Sequence, residues 1–341
     1  MEKILVIQTA FIGDALLTLP MIEKLKENFK NSLIDVVCIP STEEIFSASP
    51  FVNEVLVLDK KKKNKSIYNL LKFAKSIKQK QYTRIYSPHR SLRTSLIVMQ
   101  SGVRETYGFA NSAFFHVYKN LVEYSYAKHE VQRNLDLIGF NYINDNWKII
   151  PKLKLNENSS IKIQTFLAEN YLSEKIIAVA PGSVWETKKY PLEHFVEIIS
   201  HFTDLDYKII LLGGESDKVL CENIAINFEK NVISAGGKFS LVETIEILKN
   251  VKLLLTNDSA PTHLGVCADI PVLTIYCSTI PAFGFFPYNK KSFYISYDDL
   301  KCKPCGLHGY EKCPISTFDC GYKLKPNIII NKMKEMLSAR N

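Results

Sequence analysis

Short apolar runs alternate along the chain with stretches whose apolar positions recur every three or four residues. In the first half, Lys3–Gln8, Ile34–Ile39, Glu54–Leu58 and Arg84–Ser87 read as strands, and Ala15–Asn28 and Tyr68–Lys80 as helices. The pattern then restarts. Ile176–Ala180, Lys208–Leu212, Asn231–Ser234, Lys252–Thr256 and Val272–Ile275 read as strands, with helices at Leu192–Phe202, Lys218–Phe228, Leu241–Lys249 and Thr262–Ala268 between them. Such alternation predicts parallel sheets covered by helices. Each strand runs into a loop rich in Gly, Ser, Asp or Pro, where open α/β sheets bind their ligands. A polar stretch, Asn156–Ser160, leads into a helix predicted over Ile161–Tyr171, and the tail predicts a helix over Pro326–Ala339. The expected organisation is one domain over residues 1–160, a second over 161–325 and a C-terminal helix over 326–341. In fold class this is α/β, two doubly wound Rossmann-like domains facing a central cleft.

The length of 341 residues suits two domains, and 46% hydrophobic with 23% charged residues suits a large buried core. No stretch reaches the ~18 uninterrupted apolar residues that a membrane span needs. The opening run Met1–Ile7 lacks the longer apolar core and cleavage site of a signal peptide and reads as a buried first strand. The expected location is therefore the cytoplasm, where eight cysteines stay mostly reduced. The net charge of +8 is unevenly spread: Lys60 to Arg104 holds thirteen Lys or Arg and no Asp or Glu, leaving −5 for the remainder. That block is either a solvated face with a lysine loop at Lys60–Lys65 or a surface for phosphates, acidic sugars or an anionic membrane.

Three loops carry candidate chemistry, each with a plainer structural explanation. After the first strand, Ile12-Gly13-Asp14 places a glycine at a tight turn and a carboxylate at a helix start, which is also where a helix-capping aspartate would stand. After the first strand of the second half, Pro181-Gly182-Ser183 offers backbone N–H groups and a hydroxyl to an anion, with Lys188 and Lys189 supplying charge; it lacks the order of a Walker loop, and exposed lysines in an ordinary loop read the same way. The third loop, Asn257-Asp258-Ser259-Ala260-Pro261-Thr262-His263, is either a phosphate cradle or a capping motif with Ser259 as N-cap.

Together the three loops resemble glycosyltransferase family 9, the ADP-heptose:lipopolysaccharide heptosyltransferases. Gly13-Asp14, the Pro181-Gly182 loop ending in Lys188-Lys189-Tyr190-Pro191, and Asp258-Ser259 with His263 match its motifs in order and spacing. So do His89-Arg90-Ser91-Leu92-Arg93, Arg104 to Phe109, Gly236 to Leu241 and Ser278-Thr279-Ile280-Pro281. One position departs: the family glycine after Asp-Ser/Thr is Ala260 here, whose methyl narrows any phosphate approach to that backbone.

The resemblance implies a GT-B fold and an inverting, metal-independent transfer of heptose from ADP-heptose to a lipopolysaccharide core acceptor. Another nucleotide sugar for another surface glycan, or a GT-B-fold epimerase, are the alternatives. Asp14 would be the base, and Lys188, Gly182, Ser183, Asp258, Ser259 and His263 would hold the donor. Gly13, Arg90 and Arg93 would face the acceptor. Phe239 would stack on adenine, or else pack as a core phenylalanine, and Asp217 would bind ribose or else cap a helix. The implied partners are a nucleotide sugar, a lipid-linked oligosaccharide and the anionic inner face of the cytoplasmic membrane, where the enzyme would sit peripherally; no nucleic acid is expected. No cofactor is required. Asp204-Leu205-Asp206 has the spacing of a metal-binding pair, but it precedes a strand and reads as a turn. Cys302, Cys305, Cys313 and Cys320 are either reduced thiols, a structural zinc site with His308 as substitute ligand, or disulfides.

Overall fold

The computed structural model describes residues 1–62, 64–170, 175–228 and 231–338, and these form two compact units, 1–154 and 155–341. The first runs β1 (Lys3–Ile7), α1 (Ile12–Asn28), β2 (Leu33–Cys38), α2 (Glu43–Ser47), β3 (Glu54–Val57), α3 (Ile67–Gln79), β4 (Arg84–Ser87), α4 (Leu92–Ser101), β5 (Glu105–Phe109), β6 (Asn120–Val122) and α5 (Glu130–Asp136). Its strands are all parallel, in the order β3-β2-β1-β4-β5-β6. β1 is central and its last four residues are fully buried, which is why it reads as an unbroken apolar run.

The second unit runs α6 (Glu157–Glu169), β7 (Ile176–Ala180), α7 (Leu192–Thr203), β8 (Lys208–Leu211), α8 (Lys218–Ala225), β9 (Val232–Ser234), α9 (Leu241–Leu248), β10 (Leu253–Asn257), α10 (Ala260–Cys267), β11 (Val272–Tyr276), β12 (Phe293–Ser296), α11 (Asp319–Tyr322) and α12 (Pro326–Ser338). Its sheet is again parallel, β12-β11-β10-β7-β8-β9. α6 belongs to this unit because Glu243 of α9 accepts from Ser159 Oγ at 2.9 Å and Lys162 Nζ at 2.7 Å. α12 joins the same core, with Ile329 and Met333 packed among the side chains of α7 and β7.

Each sheet therefore has the doubly wound order in which the chain goes one way from the first strand and then returns to add strands on its other side. The reversal lies between β1 and β4 in one unit and between β7 and β10 in the other. At such a switch point the two following loops part and leave a crevice at the carboxyl ends of the strands. The two Rossmann-like sheets are those expected from the alternation. The pattern overlooked β5, β6, β12, α2, α4, α5 and α11. Helix one begins at Ile12 rather than Ala15, so Gly13 lies in its first turn with no left-handed backbone. Asp204-Leu205-Asp206 forms the turn before β8, with Asp206 at φ 61°. Lys63, Tyr171 and Ala339, at the expected lysine loop and helix ends, lie outside the described residues.

Candidate active site

In the first unit the switch-point loops follow β1 and β4. Gln8 shapes the first: its Nε2 donates to Thr18 Oγ1 at 2.9 Å and its Oε1 accepts from Ala10 N at 3.2 Å. Asp14 is the third residue of α1, and its Oδ2 accepts from Phe11 N at 3.2 Å. It is thus a capping residue as well as a candidate base. Burial, followed by the nearby Glu130 carboxylate, raises its carboxyl to about 7, against the backbone N–H groups of the helix start and Arg90. A carboxyl in that range accepts a proton near neutral pH without being a weak base.

Glu130 is the first residue of α5, and Asn134 Nδ2 ties that helix to α1 by donating to Leu17 O at 3.0 Å. Glu130 Oε2 accepts from Tyr124 Oη at 2.8 Å and from Arg133 Nη1 at 2.9 Å. Arg133 is 1% exposed and also donates to Ser125 O and Tyr126 O. The Arg90 guanidinium lies 3.9 Å from the Tyr124 ring centroid. Arg90 is therefore brought to Asp14, whereas Arg93 donates to Asn64 O and Lys65 O, both at 3.0 Å, and shapes the lysine loop. Lys60 Nζ donates to Thr9 O at 2.7 Å, and burial with the nearby Arg93 lowers it to about 8. His89 Nδ1 lies 2.8 Å from Thr9 Oγ1; burial, with Lys60 and Arg90 adding to it, lowers the ring to about 4.

In the second unit the switch-point loops follow β7 and β10, and Asn257 stitches them together. Its Oδ1 accepts from Tyr190 N at 3.0 Å and its Nδ2 donates to Pro181 O at 2.7 Å. Lys188 Nζ meets Asp258 Oδ2 at 2.7 Å, and the same oxygen accepts from Thr279 Oγ1 at 2.6 Å. Lys189 turns away to Glu186. Ser259 stands at the N-cap position of α10 without a side-chain cap bond; its Oγ instead donates to Gly182 O and Asn257 O, both at 3.4 Å. Ser183 sits half-buried in the loop after β7. His263 is buried, its Nδ1 has no hydrogen-bond partner among the described residues, and burial lowers its ring to about 4, with Lys188 aiding and Asp258 opposing. Gly182 has a local reason to be glycine: a Cβ there would lie 2.3 Å from Asp217 Oδ1. Asp217 Oδ2 accepts from Gly214 N at 3.0 Å, a capping contact. Phe239 packs edge-on against Phe166 at 4.9 Å, with Lys162 over its ring.

The cysteine segment docks onto this site. Thr187 N donates to Tyr310 O at 3.0 Å, Tyr310 N donates to Thr187 Oγ1 at 2.7 Å, and Cys305 N donates to Ser278 O at 2.7 Å. Gly309, at φ +82°, fits because a Cβ would meet Ser278 Oγ and Thr187 Oγ1 at 2.9 Å. Cys302, Cys305, Cys313 and Cys320 line one cavity of about 210 Å³ with free thiols. Among the described residues no group of three His, Cys, Asp or Glu side chains is placed to hold a metal ion.

The family model described as glycosyltransferase family 9 (heptosyltransferase) matches residues 70–311. The chain belongs to glycosyltransferase family 9. This family-9 transferase is 23% identical over 302 residues to lipopolysaccharide heptosyltransferase 2 of Escherichia coli K12, covering 82% of the chain and 84% of that protein. The crystal structure of a family-9 glycosyl transferase from Veillonella parvula superposes with a TM-score of 0.86 at 22% identity, covering 99% and 98% of the two chains. An E. coli heptosyltransferase, WaaC, solved with ADP-2-deoxy-2-fluoro heptose, superposes at 0.72 with 18% identity, over 98% and 99%.

For this transferase, sequence reasoning missed Glu130, Arg133 and Tyr124, and it quoted Asn257 and Thr279 within motifs without giving either a role. The acid and base of Glu130-Val131-Gln132-Arg133 stand three apart, a helical ion-pair spacing that was available as a signal. Glu130→Gln removes the charge facing Asp14 and breaks the ion pair with the buried Arg133. Stability is expected to fall by roughly 3 kcal/mol. The acidic limb of the pH–rate profile is expected to move below its starting point near pH 7. A folded variant whose limb stays in place would remove Glu130 from the tuning of Asp14.

Proposed function

We propose that this family-9 glycosyltransferase moves heptose from ADP-heptose to a lipid-linked lipopolysaccharide core sugar, inverting the anomeric centre in a single displacement. The observation that carries this is a carboxyl tuned to about 7 at the switch point of the first sheet. Asp14 takes the proton of the acceptor hydroxyl as its oxygen attacks the anomeric carbon. Lys188, Gly182, Ser183, Ser259 and the N-terminus of α10 take up the charge of the departing diphosphate, and Asp258 and His263 complete the donor pocket. Phe239 and Asp217 serve the adenosine end. Arg90 orients a phosphate or acidic sugar of the acceptor beside Asp14. The heptosyltransferases to which the chain is similar support the donor and acceptor classes.

No helix among the described residues is long and apolar enough to cross a membrane. A lipid-linked acceptor brings the enzyme to the cytoplasmic membrane surface as a peripheral protein, and no metal takes part in the displacement. A transfer assay over a panel of nucleotide sugars, run with EDTA and with magnesium, tests the reading. ADP-heptose is expected to give the product of inverted configuration at the same rate in both. Turnover of another nucleotide sugar with ADP-heptose inert would overturn the donor, and activity restored at once by magnesium would overturn the metal-free mechanism.

A further inference from the structure

Helix α3 is amphipathic in an unusual way. Leu70, Ala74 and Ile77 are buried in the core of the first unit. The outward face should then be polar. Its first turns instead present Ile67 at 69%, Tyr68 at 76% and Leu71 at 40% exposure. Positions i, i+1 and i+4 share one side of a helix, so the three make a single apolar tip.

The tip is ringed by positive charge. Lys61, Lys62 and Lys65 are exposed just before the helix, and Lys72, Lys75 and Lys78 are exposed along it. Among the described residues, none of these six lysines enters an ion pair. The loop is also built into shape. Asp59 Oδ1 accepts from Lys61 N and Lys62 N, Asn64 Oδ1 accepts from Asp59 N, and Arg93 grips the carbonyls of Asn64 and Lys65. Lys60 fastens the loop to Thr9 O, within the segment that leads to Asp14.

We propose that the start of α3 and the lysine loop form a membrane-docking face, with Ile67, Tyr68 and Leu71 entering the headgroup layer of an anionic bilayer and the lysines on its phosphates. Charge complementarity selects this occupant: an apolar tip inside uncompensated lysines matches an interface that is negative outside and apolar beneath. Tyrosine suits that depth, with an apolar ring and a polar tip. Seating the face on the bilayer holds the carboxyl edge of the first sheet, and Asp14 with it, at the height of a lipid-linked sugar. The inference deepens the lipid-linked acceptor reading, and its deciding readout is vesicle binding.

Vesicles of phosphatidylcholine, alone or mixed with phosphatidylglycerol, provide the probe. Tyr68→Trp is expected to shift its emission to the blue and to be quenched by brominated lipid with the mixed vesicles only. The double variant Ile67→Ser, Leu71→Ser is expected to bind the mixed vesicles about tenfold more weakly. Its turnover of a delipidated acceptor fragment should be unchanged. Lys61→Gln with Lys65→Gln should flatten the salt dependence of binding. Binding without a blue shift, or double-variant binding equal to the parent, overturns the proposal. Loss of self-association in place of loss of vesicle binding would overturn it in favour of a second copy of the chain. Vesicle binding as described, together with no transfer to any lipid-linked glycan, would sink the acceptor reading and leave the docking face standing.

Discussion

Asp14→Asn is expected to cut turnover by ~100-fold or more while donor affinity stays within about twofold of the parent. The amide keeps the oxygen that accepts from Phe11 N, so the start of α1 should be preserved. It cannot accept the acceptor's proton. The sign on stability offers a second check. Burial raises the carboxyl to about 7, so charging it works against folding, and the stability contributed by its neutral form is lost as the pH rises through that value. The variant should therefore be at least as stable as the parent at pH 8, and inactivity there cannot be ascribed to unfolding. Thermal melts beside initial rates at pH 6 and pH 8 give both quantities. Near-normal turnover in a folded Asp14→Asn protein would remove Asp14 from the mechanism, and the tuning assigned to Glu130 with it.

Replacing Lys188 by alanine should raise the donor's apparent KM and lower kcat together, a combined loss of roughly 100- to 1,000-fold in kcat/KM. The Lys188 side chain is only 14% exposed and its ammonium sits on Asp258, itself held by Thr279. In the proposed mechanism its charge is most valuable when the leaving group becomes fully anionic. Lys189 is the internal control, because it pairs with Glu186 and not with Asp258. Lys189→Ala is expected to stay within about twofold of the parent. Damage from Lys189→Ala with Lys188→Ala unharmed would mean that the donor lies elsewhere. The two variants can be separated by measuring ADP affinity directly by calorimetry, which reports ground-state binding apart from leaving-group departure.

The sequence by itself determined the alternation of buried strands and amphipathic helices, because burial on both faces demands continuous apolar runs and one-sided burial demands a three-to-four residue period. It also placed Asp14, Lys188 and Ser259 in the segments that link a strand to the next helix, since strand ends and helix starts are set by local chain chemistry. Strand order lay beyond it. Nothing local says that β4 returns to the side of β1, or β10 to the side of β7, and only that return puts His89 and Arg90 beside the Asp14 loop and Asp258 beside Lys188. The pairings that tune the groups are equally non-local. Glu130 reaches Asp14 through the packing of α5 on α1, and Asn257 joins Tyr190 and Pro181 across 67 and 76 residues. The four cysteines are a further case: their spacing leaves thiols, a metal or disulfides open, and only the fold brings all four to one cavity as free thiols. Spacing along the chain limits which groups can meet, and the packing of distant segments decides which of them do.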